Sequence, residues 1–172
     1  MVFEKPEIVP DELMLSVDSF REVVKSTPLI SVDLVVKDSI GRILLGKRVN
    51  PPAQGFWFVP GGRIFKGEEV NHAFSRILGS ELDVSSSEIK TAFLGVYQHF
   101  YDDNFAGTGF STHYVVLCYE VHLECLLNKL PLDQHSEYRW FTKLELLNDM
   151  EVHSHSKWYF QENKQADNII LS

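Results

Sequence analysis

The most constraining feature of this 172-residue sequence is a glycine pair followed, at fixed distances, by a glutamate, an arginine and a second glutamate. Five residues separate Gly62 from Glu68, seven more separate Glu68 from Arg76, and Glu81 follows five positions later. A strand-like run at 56–59 precedes the pair, and residues from about 68 to 81 have helical periodicity. Because glycine lets a backbone turn sharply and approach a ligand closely, the arrangement predicts a metal and phosphate site. Its parts are a loop carbonyl, a helix carboxylate and an arginine.

The composition is typical of one globular domain, with 44% hydrophobic and 23% charged residues. No apolar run approaches the roughly 18 residues of a membrane span, and the acidic, proline-bearing start does not resemble a signal peptide. A net charge of −8 argues against a nucleic-acid partner. Cys118 and Cys125 lack metal-ligand spacing, which is typical of free thiols in a reducing compartment. We therefore expect a cytoplasmic protein with neither a membrane nor a nucleic acid as partner.

Hydrophobic periodicity predicts an N-terminal extension at 1–12, a single domain at 13–165 and a tail at 166–172. The interleaving of strands and helices predicts an α/β or α+β class, with a mixed sheet between helices. The predicted helices are 13–25, 68–81, 142–149 and 154–164, and the predicted strands are 29–36 and 42–47 (a hairpin), 92–100, 112–123 and 138–141.

The spacing of the glycine pair, the two glutamates and the arginine resembles the Nudix box of the Nudix hydrolases. Those enzymes hydrolyse nucleoside diphosphates linked to another moiety, and their fold is an α/β/α sandwich with a central mixed β-sheet. Two glutamates of the box are replaced here by Ile77 and Ser80, and its second glycine is Asp83. Without those two carboxylates, the helix retains too little negative charge for a cluster of metal ions, so we expect one Mg²⁺ held by Glu81.

The two box glutamates are also replaced in one Nudix subgroup, the GDP-mannose mannosyl hydrolases. The sequence resembles that subgroup over nearly all of residues 17–160. The resemblance implies Mg²⁺-dependent hydrolysis of GDP-mannose, with GDP-glucose as a second substrate, by attack of water on the anomeric carbon with inversion. It also implies a homodimer. The shared motifs are Ser31-Val32-Asp33, Leu45-Gly46-Lys47-Arg48, the run 52–63, the run 97–105, Thr112-His113-Tyr114 and Asp133-Gln134-His135.

The resemblance assigns the metal site and the base. Glu81 binds one Mg²⁺ per active site, with the Gly61 carbonyl and Gln134 as further ligands and Mn²⁺ as a substitute. His135 is the general base that takes the proton of the attacking water. Because the free imidazole pKa is about 6.5, a neutral histidine can take that role at neutral pH.

The remaining assignments concern the substrate. The resemblance implies that Arg48, Arg63 and Arg76 contact the diphosphate, and that Tyr114 and Asp33 support the leaving group or the sugar. Arg48, Tyr114 and Asp33 are therefore counted with the catalytic residues. The chemistry is consistent, since cations aimed at the charge that gathers on a departing diphosphate stabilise the transition state more than the ground state.

Two other functions agree with the same residues. A conventional Nudix pyrophosphatase would release a nucleoside monophosphate and a sugar phosphate, and a non-catalytic sensor would bind a nucleotide sugar without turnover. Asp33 and Tyr114 also fit ordinary core positions of a strand. The six histidines other than His135 are expected to be structural or exposed.

Overall fold

The computed structural model describes residues 15–85, 89–105, 107, 109–125, 127–164 and 166. The extension predicted at 1–12, and the tail from residue 167 onward, lie outside the described residues. The helices are α1 (Val17–Ser26), α2 (Val70–Leu82), α3 (Lys143–Asn148) and α4 (Ser154–Trp158), and the strands are β1 (Leu29–Lys37), β2 (Ile43–Arg48), β3 (Trp57–Phe58), β4 (Gly61–Arg63), β5 (Lys90–Tyr101), β6 (Thr112–His122) and β7 (His135–Phe141).

The strands form one mixed sheet of seven, in the order β3-β2-β1-β6-β5, and this confirms the predicted α+β class. β1 runs parallel to β6 over nine paired positions, from Leu29 opposite Tyr114 to Lys37 opposite His122. The other pairings are antiparallel, including that of β5 with β6. The predicted hairpin of β1 and β2 is also present, closed by a turn in which Asp38 accepts hydrogen bonds from Arg42.

The sheet contains a split that positions the site. β2 pairs with β1 only at Ile43 opposite Lys37, and from there β2 continues alongside β7. On the same side of β1, the place of β2 is taken by β4, which pairs with residues 31–33. The two inner strands therefore diverge and leave room between their ends for a ligand.

Helices cover both faces of the sheet because β1 is apolar on both. Val32, Leu34 and Val36 pack with Ile77 and Leu78 of α2 on one face. Val35, on the opposite face, belongs to a second buried cluster, which includes Leu146 of α3 and is covered by Tyr159 and Phe160 beside α4. A strand that is buried on both faces requires apolar residues at successive positions, and Asp33 is the exception in this run.

Helix α2 follows the predicted periodicity with a few changes at its ends. The helical periodicity places Val70, Ala73, Ile77 and Leu78 on one apolar stripe; Ala73, Ile77 and Leu78 are buried, whereas Val70 lies at the first turn and is 38% exposed. At the C-terminal end, Asp83 takes the left-handed conformation, with φ of 54°. Its N–H donates to the carbonyl of Gly79 at 3.0 Å. This is the helix-ending position that glycine usually occupies.

Several boundaries differ from the prediction, two of them because of strand pairing. Gly61–Arg63, expected in a loop, form β4 by pairing with β1. β7 begins at His135, three residues before its predicted start, because His135 pairs with Arg48. Helix α4 ends at Trp158, and the predicted continuation to 164 consists of turns and bends.

Candidate active site

A cavity of about 590 Å³ opens where β1 and β2 diverge. Its walls come from β1, β4, the last turns of α2, β5, β6 and the loop that precedes β7. The structure brings together eight of the nine residues singled out in the sequence, and His135 is the one that does not line the cavity. The eight are Asp33, Arg48, Gly61, Arg63, Arg76, Glu81, Tyr114 and Gln134.

The glycine pair is in contact with the inner strand of the sheet. A Cβ atom on Gly61 would lie 2.8 Å from Oδ1 of Asp33 and 2.7 Å from the Val32 carbonyl. A Cβ atom on Gly62 would lie 3.1 Å from Ile77 of α2. Glycine at 61 therefore lets β4 pack directly against β1, a side chain at 62 would press on Ile77, and the backbone of both glycines lines the cavity.

Arg76 and Glu68 form a tight pair at one edge of the cavity. Nε and Nη2 of Arg76 donate to the two carboxylate oxygens of Glu68 at 2.6 and 2.8 Å, and Nη2 also donates to the carbonyl of Arg63 at 2.8 Å. Burial opposes ionisation of Glu68, but these bonds and the Phe65 N–H hold the pKa of Glu68 below its usual value. The pair ties the loop after β4 to α2, so Arg76 has a structural role in addition to the predicted diphosphate contact.

The other two arginines of the cavity rest on aromatic rings. The Arg63 guanidinium lies 4.2 Å from the ring centre of Phe20 and 5.1 Å from that of Phe65. Arg48 lies 5.8 Å from the ring centre of Phe58, and its Nε donates to the carbonyl of Pro52 at 2.8 Å. Among the described residues, neither arginine forms a salt bridge with a carboxylate within 4 Å. Their charge is therefore available to an anionic ligand.

Glu81 is the only carboxylate on α2, and its side chain has an unused ligand atom. Glu81 is 7% exposed, and its Oε2 is buried without a hydrogen-bond partner among the described atoms. Burial raises the pKa of Glu81 to about 7, with Asp133 adding to the increase and Arg48 and Arg76 opposing it. A buried carboxylate oxygen without a donor is a suitable ligand for a cation, which would compensate its charge.

The donor set around Glu81 limits how a metal ion is held. Within the part of the chain that the structure describes, no three His, Cys, Asp or Glu side chains are grouped so as to hold a metal. Gly61 and Gln134 line the same cavity as Glu81, and Asp133 lies beside Gln134. These oxygen donors fit a Mg²⁺-type ion that takes its remaining ligands from water and a diphosphate.

His135 lies behind Glu81 and is 1% exposed. Its Nδ1 lies 3.0 Å from the Tyr138 hydroxyl and 3.5 Å from Oε2 of Glu81. If the Tyr138 hydroxyl gives its one proton to a backbone carbonyl, that of Pro131 (2.9 Å) or of Glu81 (3.2 Å), the contact with His135 requires that Nδ1 donate. Nε2 then carries the lone pair, and it is buried without a partner among the described atoms.

The surroundings of His135 keep its ring neutral and fixed. Burial, together with the charge of Arg48, lowers the pKa of His135 to about 4. The ring lies against Gly46 of β2, where a Cβ atom would come within 2.4 Å of the ring. Thus Gly46 leaves the space that the imidazole fills.

The wall opposite α2 contains residues to which no motif in the sequence gives a role. His99 and Tyr101 of β5 line the cavity, and His99 stacks on His155 with ring centres 4.2 Å apart. His153 stacks on Tyr101, and both it and His155 extend from the start of α4. The available signal was strand alternation, since residues 97, 99 and 101 share one face of β5 while 98 and 100 are exposed on the other.

Asp33 is held by this wall. The Tyr159 hydroxyl donates to Oδ2 of Asp33 at 2.6 Å and lies 3.2 Å from Nε2 of His99. Burial raises the pKa of Asp33 to about 6, against the hydrogen bond from Tyr159 and the charge of Arg48. On the neighbouring strand, burial raises the pKa of Tyr114, so this phenol remains a donor at neutral pH.

Comparisons with known proteins agree with this fold. The family model of the NUDIX domain matches residues 27–161. The low-salt glycan biosynthesis protein Agl8 of Haloferax volcanii is 41% identical over 125 residues, which is 72% of this chain and 77% of that protein. A MutT NUDIX hydrolase from Burkholderia pseudomallei superposes with a TM-score of 0.61 at 25% identity, over 78% of this chain and 96% of that one. The NUDIX domain of Shewanella oneidensis NrtR, solved with ADP ribose, gives a TM-score of 0.57 at 22% identity, over 76% and 82%.

Nudix hydrolases generally act with a divalent metal ion, and the glycine pair, helix carboxylate and arginines of this cavity are the candidate site for such a reaction. The chain belongs to the Nudix hydrolase family. Among the described residues, no helix has the length and apolar character needed to cross a membrane.

Proposed function

We propose that this Nudix hydrolase cleaves GDP-mannose to GDP and mannose by attack of water on the anomeric carbon, with GDP-glucose as a second substrate. One observation carries the proposal. Ile77 and Ser80 line the cavity where the Nudix box has glutamates, and Glu81 is the only carboxylate of α2. A helix with one carboxylate suits one Mg²⁺ on the leaving diphosphate and gives little support to attack at phosphorus.

The relatives support a nucleotide-sugar substrate. The Haloferax volcanii protein carries a name that refers to glycan biosynthesis, and the Shewanella NrtR domain was solved with ADP ribose, a nucleotide linked to a sugar. An enzyme that acts on an activated sugar is consistent with a relative named for glycan biosynthesis. We further propose that it works as a cytoplasmic homodimer, with Mn²⁺ as an alternative to Mg²⁺.

The proposed roles follow from the positions of the side chains. Glu81, the Gly61 carbonyl and Gln134 would hold the Mg²⁺, which neutralises charge on the diphosphate. Arg48 and Arg63 contact the diphosphate oxygens, since their guanidinium groups carry no carboxylate partner among the described residues. These contacts strengthen as the C–O bond breaks, because negative charge then gathers on the diphosphate.

The sugar occupies the end of the cavity near Asp33 and Tyr114. An ionised Asp33 stabilises the positive charge that develops at C1 of the hexose, or binds a sugar hydroxyl. Tyr114 donates from its protonated hydroxyl to the leaving group. A divalent ion held by Glu81 would stabilise the charge on the departing diphosphate, so a separate general acid would be unnecessary.

His135 is proposed as the general base. Its Nε2 has the lone pair required to take a proton from water, and the lowered pKa keeps the ring neutral at pH 7. Because the ring is 1% exposed, water reaches Nε2 only if the residues around the ring shift when substrate binds. The proposal therefore includes a local movement that opens the way to His135.

The buried position of His135 favours a second candidate function. If the base is absent from the cavity, a conventional pyrophosphatase that yields GMP and mannose 1-phosphate becomes the alternative. A non-catalytic sensor of nucleotide sugars also remains, and its mark would be tight binding of GDP-mannose without turnover.

Product identification separates the candidates. The purified chain is incubated with GDP-mannose and MgCl₂ in water enriched in ¹⁸O, and the products are resolved by anion exchange and mass spectrometry. We expect GDP without label and mannose with one ¹⁸O. Formation of GMP without GDP, or label on phosphate, would contradict the proposal. Glu81→Gln, prepared in parallel, is the control for a contaminating activity.

A further inference from the structure

We infer that Tyr159 is a positioning residue of this site, one that orients the Asp33 carboxylate and the His99 imidazole toward the sugar. The inference rests on the proposed function for the identity of the substrate. It adds a residue from the chain after α4 to a site whose cavity is lined by α1, α2, the sheet and the loops between them.

The geometry around Asp33 leaves its carboxylate few alternatives. On one side, Oδ1 faces Gly61 so closely that a Cβ atom there would lie 2.8 Å away. On the other side, Oδ2 accepts the Tyr159 hydroxyl at 2.6 Å. Because Asp33 is 6% exposed, its orientation is decided by these two neighbours together with the charge of Arg48.

The proton count assigns the tautomer of His99. Tyr159 has one hydroxyl proton and donates it to Asp33, so the contact of 3.2 Å with Nε2 of His99 requires that His99 be the donor. A neutral His99 then carries its proton on Nε2 and a lone pair on Nδ1. The Tyr159 hydroxyl therefore fixes the orientation of the Asp33 carboxylate and also determines that Nδ1 is the acceptor nitrogen of His99.

The ring of Tyr159 is itself well anchored. It packs edge-to-face against Tyr97, with ring centres 4.8 Å apart, and lies 5.9 Å from the ring of His99. Removing only the hydroxyl therefore preserves most of the packing. Tyr159→Phe is consequently a clean test of positioning.

The kinetic test compares the sugar end of the site with the diphosphate end. We expect Tyr159→Phe to lower kcat/KM for GDP-mannose by about 10- to 100-fold, the range for a hydrogen bond to a charged group. Binding of GDP with Mg²⁺, measured by calorimetry, should change less than about twofold, because none of the diphosphate contacts involves Tyr159. A general loss of structure would weaken both. The matched control is Tyr119→Phe, on the opposite face beside Phe74 and Phe93, which should leave both values unchanged.

A double-mutant cycle tests whether Tyr159 acts through Asp33. If it does, Tyr159→Phe in an Asp33→Asn background should add little to the effect of Asp33→Asn alone. Full additivity, or an unchanged kcat/KM in the single Tyr159→Phe variant, would overturn the inference.

A measurement without substrate separates this inference from the proposed function. ¹⁵N correlation spectra of the histidine side chains should show His99 as the Nε2–H tautomer in the native chain and a mixture in Tyr159→Phe. An Nδ1–H tautomer in the native chain, or an unaltered spectrum in the variant, would overturn the positioning role. Absence of GDP-mannose hydrolysis by the native chain would instead reject the proposed function, and the spectra would still decide the role of Tyr159.

Discussion

At the scale of single residues, Glu81 combines poor solvation with an unused ligand atom. Its buried carboxylate has a pKa raised to about 7, and its Oε2 lacks a hydrogen-bond partner among the described atoms. Such an arrangement is unfavourable for the empty protein and becomes favourable only when a cation binds. Glu81 therefore lowers the stability of the metal-free protein and raises its affinity for a metal ion.

Glu81→Gln should separate these two effects. We expect hydrolysis of GDP-mannose to fall by roughly 10²-fold or more, since a metal on the leaving group contributes several kcal/mol to the transition state. The melting temperature of the metal-free variant should equal or exceed that of the native chain, because a buried charge has been removed. Calorimetry with added MgCl₂ completes the test, and an equal Mg²⁺ stabilisation of both chains would argue against Glu81 as ligand.

His135→Gln tests the proposed base. Loss of a positioned base lowers kcat by roughly 10²–10⁴, and we expect a decrease in that range, with little change in the affinity for GDP and Mg²⁺. His122→Gln is the control, because His122 lies at the exposed end of β6. An unchanged kcat in His135→Gln would remove His135 from the mechanism.

Residues at the site show why sequence analysis was only partly sufficient. The residues near the glycine pair and on α2 were found from their spacing, because a strand, a turn and a helix place them at fixed positions relative to one another. His99 and Tyr159 were missed, since their contact joins residues 60 positions apart and no local pattern marks it. Likewise, the polar run at 131–137 predicts a loop, whereas the pairing of His135 with Arg48 starts the strand at 135.

At the scale of elements, helix α2 shows how a replaced glycine is accommodated. Asp83 has φ of 54° and is exposed, and its backbone N–H closes the helix on Gly79. Aspartate and asparagine tolerate this conformation better than other side chains, but glycine takes it without steric strain. The end of α2 is therefore formed at a cost in conformational energy.

Asp83→Gly should stabilise the protein by about 0.5–1 kcal/mol, since relief of the left-handed strain exceeds the extra flexibility of the unfolded chain. Asp83→Ala is the matched comparison and should destabilise it by a similar amount. Urea unfolding of the three chains gives both values. A lower stability for the glycine variant would show that the Asp83 side chain itself stabilises the helix end.

At the scale of the whole molecule, the two faces of the sheet have different chemistry. The α2 face is an apolar core, while the face covered by α4 contains the stacked rings of Tyr101, His153, His155 and His99 beside the cavity. Burial, together with nearby imidazoles and Lys164, lowers the pKa of His99 to about 2 and of His155 to about 3. Burial, with the charge of Arg48, lowers that of His153 to about 4, against the carboxylate of Asp103.

This cluster predicts a loss of stability in weak acid. The folded pKa values lie below the unfolded value of 6.5, so the unfolded chain binds more protons and the free energy of unfolding decreases as pH falls below 6.5. Urea unfolding between pH 7.5 and pH 4.5 should show this decrease. His155→Phe, which keeps the stacking but cannot be protonated, should reduce the slope, and exposed His72→Gln should leave it unaltered. Equal slopes in the three chains would exclude the cluster as the cause.

The site is built from parts that lie far apart in the sequence, and this affects when the site forms during folding. β1 pairs in parallel with a strand about 85 positions further along the chain, and Asp33 takes its hydroxyl partner from 126 positions away. Contacts so distant in sequence form slowly, because the entropy of closing a long loop is lost before the contact contributes any stabilising energy. We therefore expect partly folded chains to contain α2 and its glutamate without the opposite wall. Recovery of activity after dilution from denaturant should consequently lag behind recovery of helical signal, and catalysis would report the last stage of assembly.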